Sequence, residues 1–408
     1  MVADGRPGVF LEHPGGEIAS DPSHVAQIGP ERSVRVAVVG ISASEICGVR
    51  DHAVLLAEAL EHEKVSCSLH WLWRSEASMW AGAAEIRSWT RGLAGTLKQD
   101  RPDAILLHYS VFSYSYRGVP LYIRPTLSAI HGSGIPLITV LHEFAYPWGR
   151  RGMQGAAWSL TQRARLIDVM RASAAVLVTT SRRAQWLATR RWLPKRRVLV
   201  APVFSNLPAA TVRARADRPG HVIGLFGYAH ERDTALVVLG AVRLLEERGL
   251  PIRLMLLGAP GRSSAVAEMW LASARVCAVT HVLAFSGALP AQDLSDALAE
   301  CDVLLFVDPS GPTSRKTTLA ASLASGRAVV ALDGPQRWAE LVESEAARIV
   351  EPSSSALADA LAALLADETL SEALGKRGRA FAAQKMGTAR SAQTVAGLIG
   401  EALSARRS

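Results

Sequence analysis

The densest candidate chemistry lies in VLLFVDPSGPTSRKTTLAASLASGRAVVALDG, residues 303–334. An apolar run stops at Asp308, a Pro/Gly/Ser loop follows, and the pattern predicts a helix from about Ser314, a good N-cap residue. Arg315, Lys316, Thr317 and Thr318 would then fill its first turn. Two cations are disfavoured at that end, which the helix dipole already makes positive. Their acceptance predicts a compensating anion, most simply a phosphate or diphosphate. SRKTT is not a Walker A loop, because GxxxxGK[ST] is missing, which argues against ATP or GTP hydrolysis. A second turn, GLFGYAHERDTA (224–235), sets Gly227, His230 and Arg232 just ahead of another helix, a sensible grip for a diphosphate. Surface pairing of Arg232 with Asp233 or Glu231 is the competing reading.

Two histidines end apolar runs in the first half, His108 in LLHYS and His142 in TVLHEF. His142, with Glu143 beside it, is the candidate to polarise a hydroxyl or accept its proton. His108 is read as a ring that merely satisfies backbone partners under a loop. Gly48, in GISASEICGVRDHAVLLAEAL, precedes a helix and would let a ligand approach backbone N–H groups; the turn alone also explains it. There is no complete GxGxxG, HExxH, EF-hand loop, His/Cys cluster or GxSxG, so dinucleotide binding, metal chemistry and serine hydrolysis lack support.

These residues need elements to hold them. VRVAVVG (34–40), SCSLHWLW (66–73), AILLHYS (104–110), PLITVLHEF (136–144), AVLVTT (175–180) and VLVAPV (198–203) read as buried parallel strands separated by helices. In DHAVLLAEALEHE the predicted apolar face carries Val54, Leu55, Ala59 and Leu60. Residues 208–220, PAATVRARADRPG, read as a linker. The rhythm restarts with HVIGLFGY (221–228), RLMLLGA (253–259), VLAFSG (282–287), VLLFVDP (303–309), AVVALDG (328–334) and ARIVEP (347–352). The expected fold is α/β, two doubly wound Rossmann-like domains facing across a cleft. The expected organisation is a flexible tail over 1–33, a first domain over 34–207, a second over 221–387, and a helix over 388–408 that crosses back to the first.

A chain of 408 residues with 49% hydrophobic and 20% charged residues is long enough for two apolar cores and excludes a mostly disordered class. Four scattered cysteines, Cys47, Cys67, Cys277 and Cys301, without a CxxC pair, suit a reducing cytoplasm. Neither a signal peptide nor a long apolar span is visible. The net charge of +8 divides unevenly. Residues 1–215 hold 26 Lys+Arg against 16 Asp+Glu, whereas residues 216–408 hold 19 against 21. The excess peaks between Arg150 and Arg197, where twelve bases face one acid, Asp168. Such a segment would attract phosphates or an anionic membrane surface at the inner face of the membrane; a solvated arginine-rich face is the plainer reading. Nucleic acid is not expected, since aromatic RNP stripes, zinc knuckles and helix-turn-helix signals are missing.

In this order the segments resemble the GT-B glycosyltransferases, family 4, from Val34 to about Ala405. CGVRDHAVLLAEAL is similar to the family's GG-x-x-x-H turn, with Gly48 and His52 matching and Cys47 in place of the first glycine. TVLHEF resembles its TxHD segment, which places His142 in the cleft. MRASAAVLVTTSRRAQWL and APVFSNLP are similar to the stretches that lead into the linker. GLFGYAHERD resembles the G-R-x-x-x-x-K-G loop, with Tyr228 where the Arg stands and Arg232 in place of the Lys. The main departure is in E-x7-E, whose glutamates are replaced by Thr313 and Ala321.

The resemblance implies transfer of a sugar from a nucleotide diphosphate donor to a glycan, lipid-linked or small-molecule acceptor. It further implies retention of anomeric configuration, and no metal or cofactor. Arg232, Arg315 and Lys316 would hold the diphosphate with Thr317, Thr318, Gly227 and His230. His142 and Glu143 would be catalytic, with Gly48 and His52 on an acceptor-side loop. The alternatives are a non-catalytic GT-B module that binds a partner glycosyltransferase or glycan, and a nucleotide-sugar epimerase.

Overall fold

The computed structural model describes residues 33–407 except 44–46, 76–77, 146, 150–151 and 212–218. The tail read over 1–33 thus lies outside the described residues apart from Ser33, as do Arg150, Arg151 and most of the linker. All twelve apolar runs are strands. The first sheet comprises β1 (Val34–Ser42), β2 (Val65–Trp73), β3 (Ala104–Ser110), β4 (Leu137–Glu143), β5 (Ala175–Val178) and β6 (Arg197–Val200), in the order β2-β1-β3-β4-β5-β6. The second comprises β7 (His221–Phe226), β8 (Ile252–Leu257), β9 (Leu283–Gly287), β10 (Val303–Phe306), β11 (Ala328–Leu332) and β12 (Arg348–Val350), in the order β12-β11-β10-β7-β8-β9. Every pairing between these strands is parallel. This is the GT-B pair of Rossmann-like domains.

Each sheet is sandwiched between two apolar layers, and the two-residue period of a strand assigns the side chains. In β1, Ala37, Val39 and Ile41 join one layer while Val36 and Val38 join the other. In β10, Val303 and Leu305 face one way, Leu304 and Phe306 the other. Helices α1 (Gly48–Glu61), α2 (Met79–Asp100), α3 (Ile123–His131), α4 (Gly152–Ala172) and α5 (Ser181–Thr189) clothe the first sheet. Helices α6 (Arg232–Glu247), α7 (Ala265–Val276), α8 (Ala291–Glu300), α9 (Thr317–Ala324), α10 (Ala339–Glu343), α11 (Ser354–Ala366) and α12 (Glu368–Lys385) clothe the second. The buried face of α1 differs from the one read in the sequence. Ala53, Leu56 and Leu60 are buried with His52, while Val54, Leu55 and Ala59 are only half-buried. The helix starts three residues earlier than its apolar pattern suggested.

Helix α13 (Thr388–Arg407) packs on α1 and places Ala392, Val395, Leu398 and Ile399 in one layer with Val36, Val38, Leu56 and Phe204. An ion pair of 2.8 Å between Arg197 and Glu401 fixes its far end to β6. The strand order reverses beside β1 in the first sheet and beside β7 in the second. In open α/β sheets the crevice beyond the strands' carboxyl ends at such a reversal is where ligands are held.

Candidate functional site

At the second reversal, β7 and β10 diverge and leave a pocket of about 260 Å³. Gly227, His230, Asp308, Arg315, Lys316, Thr317 and Thr318 line it. Gly227 has φ +77°, and a Cβ there would fall 2.8 Å from Thr318 Cγ2. Only glycine lets the turn after β7 lie this close to the start of α9. The next residue, Tyr228, is fully buried. Its hydroxyl accepts from Gly261 N–H at 2.7 Å, and its carbonyl accepts from Trp270 Nε1 at 2.8 Å. The position held by arginine in the resembled loop is here part of the core.

The expected helix start at Ser314 is corrected by the structure. Helix α9 begins at Thr317 with Lys316 as its N-cap residue and no side-chain cap. Ser314 instead donates its hydroxyl to Thr179 O at 2.7 Å, and its own carbonyl accepts from Val203 N at 2.9 Å, which ties this loop to the first sheet. Thr179 sits just beyond β5, and its carbonyl offers a buried acceptor that outcompetes a local cap. Arg315 and Lys316 therefore precede the helix, and both are compensated by carboxylates. Lys316 Nζ pairs with Asp308 Oδ2 at 2.5 Å, and Arg315 Nη1 pairs with Glu143 Oε1 at 2.8 Å. The inference of an anion from two uncompensated bases does not hold as stated. What remains is two cations at the mouth of an uncapped helix, each held by a carboxylate that a ligand could replace.

Asp308 accepts also from Ser310 N at 2.8 Å. Burial pushes its carboxyl up, but the bonds from Lys316 and Ser310 outweigh this and hold it below the ordinary value. Burial lowers the pKa of His230 in the same pocket, and Asp308 opposes the shift. Arg232 is the first residue of α6, exposed, and does not line the pocket.

The facing wall belongs to the first sheet. Glu143, at the end of β4, is engaged at both oxygens, by Arg315 and by Arg183 Nη2 at 2.8 Å. Arg183 lies in the first turn of α5 and also donates to the His142 carbonyl. This arrangement makes Glu143 a clasp between the two halves, with one arginine on each oxygen. His142 Nε2 lies 3.1 Å from His108 Nδ1. The bland reading of His108 is therefore overturned: its partner is another imidazole. His52 completes the group from α1, stacked on Phe204 at 4.4 Å, with its ring centroid 5.2 Å from that of His142. Burial lowers the pKa of His52 to about 4; burial and the neighbouring imidazoles keep His108 and His142 well below the ordinary value. Three histidines thus converge where the sequence showed no cluster. Gly48 opens α1 with open space around its Cα, so packing does not demand a glycine there.

Reasoning from the sequence missed Arg183, Asp308, Phe204 and the role of His108. The signals were present: each stands at or just past the carboxyl end of a strand, or in a loop leading from one. Thr313 and Ala321, in place of the two glutamates, are both buried, and Thr313 Oγ1 has no hydrogen-bond partner.

Residues 220–367 match the family described as "Glycosyl transferases group 1". No curated protein sequence matches the chain. Among solved structures, HepE from Anabaena, in complex with UDP and glucose, is similar with a TM-score of 0.63 at 14% identity, covering 90% of this chain and 99% of that one. A glycosyltransferase from Rickettsia africae gives a TM-score of 0.66 at 12% identity over 90% of this chain and 99% of its own. A putative UDP-N-acetylglucosamine 2-epimerase from Listeria monocytogenes gives 0.56 at 15% identity over 89% and 95%. At such identities the likeness is one of fold, which transferases and epimerases share.

Proposed function

Because the chain is GT-B in fold and glycosyltransferase family 4-like in sequence, we propose that it transfers a sugar from a nucleotide diphosphate donor to a glycan, lipid-linked or small-molecule acceptor with retention of configuration. The observation that carries this reading is the pocket beyond the carboxyl ends of β7 and β10, with Arg315 and Lys316 at its rim beside the uncapped start of α9. Charge develops on the leaving diphosphate, and fixed cations with free backbone N–H groups compensate it without a metal at that position. Binding would exchange Glu143 and Asp308 for phosphate oxygens. Thr317 and Thr318 add hydroxyl and backbone donors, and His142 faces the sugar and acceptor from the opposite wall. Arg232, exposed on α6 of the same domain, would reach the ligand by extension of its own side chain, and domain closure would exclude water as a competing acceptor. UDP, GDP and ADP are titrated calorimetrically into the wild type and the Arg315→Ala/Lys316→Ala variant. At least a tenfold loss of affinity in the variant is expected; an unchanged affinity removes the donor-site assignment.

Thr313 and Ala321 favour a second reading, a module without catalysis, because neither can offer the donor a carboxylate. Sugar transfer, or slow donor hydrolysis, by the purified chain alone excludes it. Product formation in a donor-only incubation would indicate an epimerase.

We further propose peripheral contact with anionic membrane on the face that carries α4. Met153 and Leu160 on this helix, within the basic segment, and Trp148 just ahead of that segment are 90%, 64% and 56% exposed. No helix among the described residues is long and apolar enough to cross a membrane. Sedimentation with anionic vesicles tests this contact, which should weaken as salt rises.

A further inference from the structure

Among the described residues, one group of at least three histidine, cysteine or acidic side chains has the spacing of a metal site: His52, His108 and His142. They come from three elements, the second turn of α1 and the carboxyl ends of β3 and β4, so the convergence is made by the fold. One nitrogen from each lies within 4.8 Å of the other two. His108 Nδ1 and His142 Nε2 are 3.1 Å apart. Two nitrogens bound tetrahedrally to one zinc-sized ion, at about 2.0–2.1 Å each, stand ~3.4 Å apart. The spacing of this pair already suits shared coordination, and a nitrogen of His52 lies within 4.8 Å of both.

A second observation points the same way. His52 Nδ1 and His108 Nε2 are both buried without a hydrogen-bond partner. A neutral imidazole has one N–H and one lone pair, and in native interiors both are normally satisfied. The orphaned Nδ1 of His52 indicates a missing partner; His108 would meet the same ion through Nδ1, the atom that faces His142, so its Nε2 does not bear on the site. The wall formed by Phe204 on His52 keeps that partner from being bulk water. Arg183, the cation that faces His142, is itself paired with Glu143. His142 is half-buried and gives the cluster its one partly exposed member.

We propose that His52, His108 and His142 bind one divalent transition-metal cation of the zinc class, with His142 on the cleft side. Three imidazoles without carboxylates select a borderline cation such as Zn²⁺ over Mg²⁺ or Ca²⁺. The site is separate from the diphosphate pocket but shares His142 with the transfer reading; the donor-site assignment does not depend on it.

The test uses the full chain, stripped with a chelator and titrated with Zn²⁺ against a chromophoric competitor, and in parallel with Co²⁺ followed by visible absorption. One Zn²⁺ per chain is expected. His52→Gln and His108→Gln should weaken it at least about tenfold, the loss that even outer-shell partners produce. His281→Gln, an exposed histidine paired with Glu246, should bind as the wild type does. If the buried variants do not fold, His142→Gln should still abolish the Zn²⁺-dependent rise in Tm. The Co²⁺ spectrum of the wild type should show d–d bands without thiolate charge transfer. Absence of stoichiometric Zn²⁺, equal affinity in the cluster variants, or a thiolate band overturns the proposal. Titration of UDP into the metal-free chain separates its failure from failure of the donor-site reading.

Discussion

Replacing Glu143 with Gln has an effect whose sign depends on what the carboxylate does. It holds Arg183 and Arg315 at 2.8 Å each, and Glu143 is itself 39% exposed. Exposed ion pairs contribute about 0–1 kcal/mol and charged hydrogen bonds in protected sites about 1.5–3, so with solvent screening the two contacts together contribute about 1–2 kcal/mol. Loss of that amount lowers Tm by about 1–2 °C in a chain of this size. A diphosphate that recruits Arg315 must first break its contact with Glu143. If that contact is worth about 1 kcal/mol, its removal tightens nucleoside diphosphate binding about fivefold. Glu143→Gln is therefore expected to melt earlier and bind UDP more tightly. Calorimetry and differential scanning fluorimetry on the same preparation measure both. In an Arg315→Ala background the gain in affinity should vanish. Weaker binding in Glu143→Gln would mean that the carboxylate serves the ligand directly, and would refute the clasp.

Further outcomes follow from the same geometry. The unfolded chain takes up a proton on each histidine near pH 6.5, whereas folded His52 does so only near 4, so stability falls as pH drops through that window. His52 alone accounts for about 3 kcal/mol between those limits; the fall in Tm from pH 7 to 4.5 should be shallower in His52→Phe. For Asp308, whose folded pKa lies below the ordinary 3.8, stability is present above that value and lost as pH falls below it. Asp308→Asn should flatten the acid limb of the melting profile below about pH 4. Gly227→Ala places a Cβ 2.8 Å from Thr318 in a left-handed conformation; a loss of about 1–3 kcal/mol in thermal or urea melts, with weaker UDP binding, is expected. Tyr228→Arg, which restores the arginine of the resembled loop, buries an unpaired charge and should lose more than about 3 kcal/mol in urea melts without gaining diphosphate affinity. A stable variant with improved affinity would show that this position faces the ligand.

The twelve strands were legible because a buried parallel strand carries its environment in its own residues: VRVAVVG and VLLF have no polar alternative. The pocket residues after β7 and β10 were legible for a related reason, since the carboxyl end of a strand is a position in the sequence. The partners were not. Nothing near Arg315 indicates that its counterion is Glu143, 172 residues away. Ser314 has the right type for a cap, yet bonds Thr179, because the alternative acceptor exists only once the two sheets face each other. The histidine cluster was hidden similarly. His52, His108 and His142 are isolated in sequence, and only the neighbouring order of β1, β3 and β4 brings them together. Local chemistry can be read from spacing; counterions and clusters need topology.

Helix α13 has a consequence for biosynthesis. Its Ala392, Val395, Leu398 and Ile399 complete the layer begun by Val36 and Val38. During translation the first sheet is made early, but one of its faces, packed by α1, stays partly uncovered until almost the whole of the second domain has been synthesised. The first half cannot finish folding ahead of the second in the usual vectorial order. A fragment that ends at the linker would expose the apolar surface that α13 covers and is expected to aggregate, so the two halves mature together.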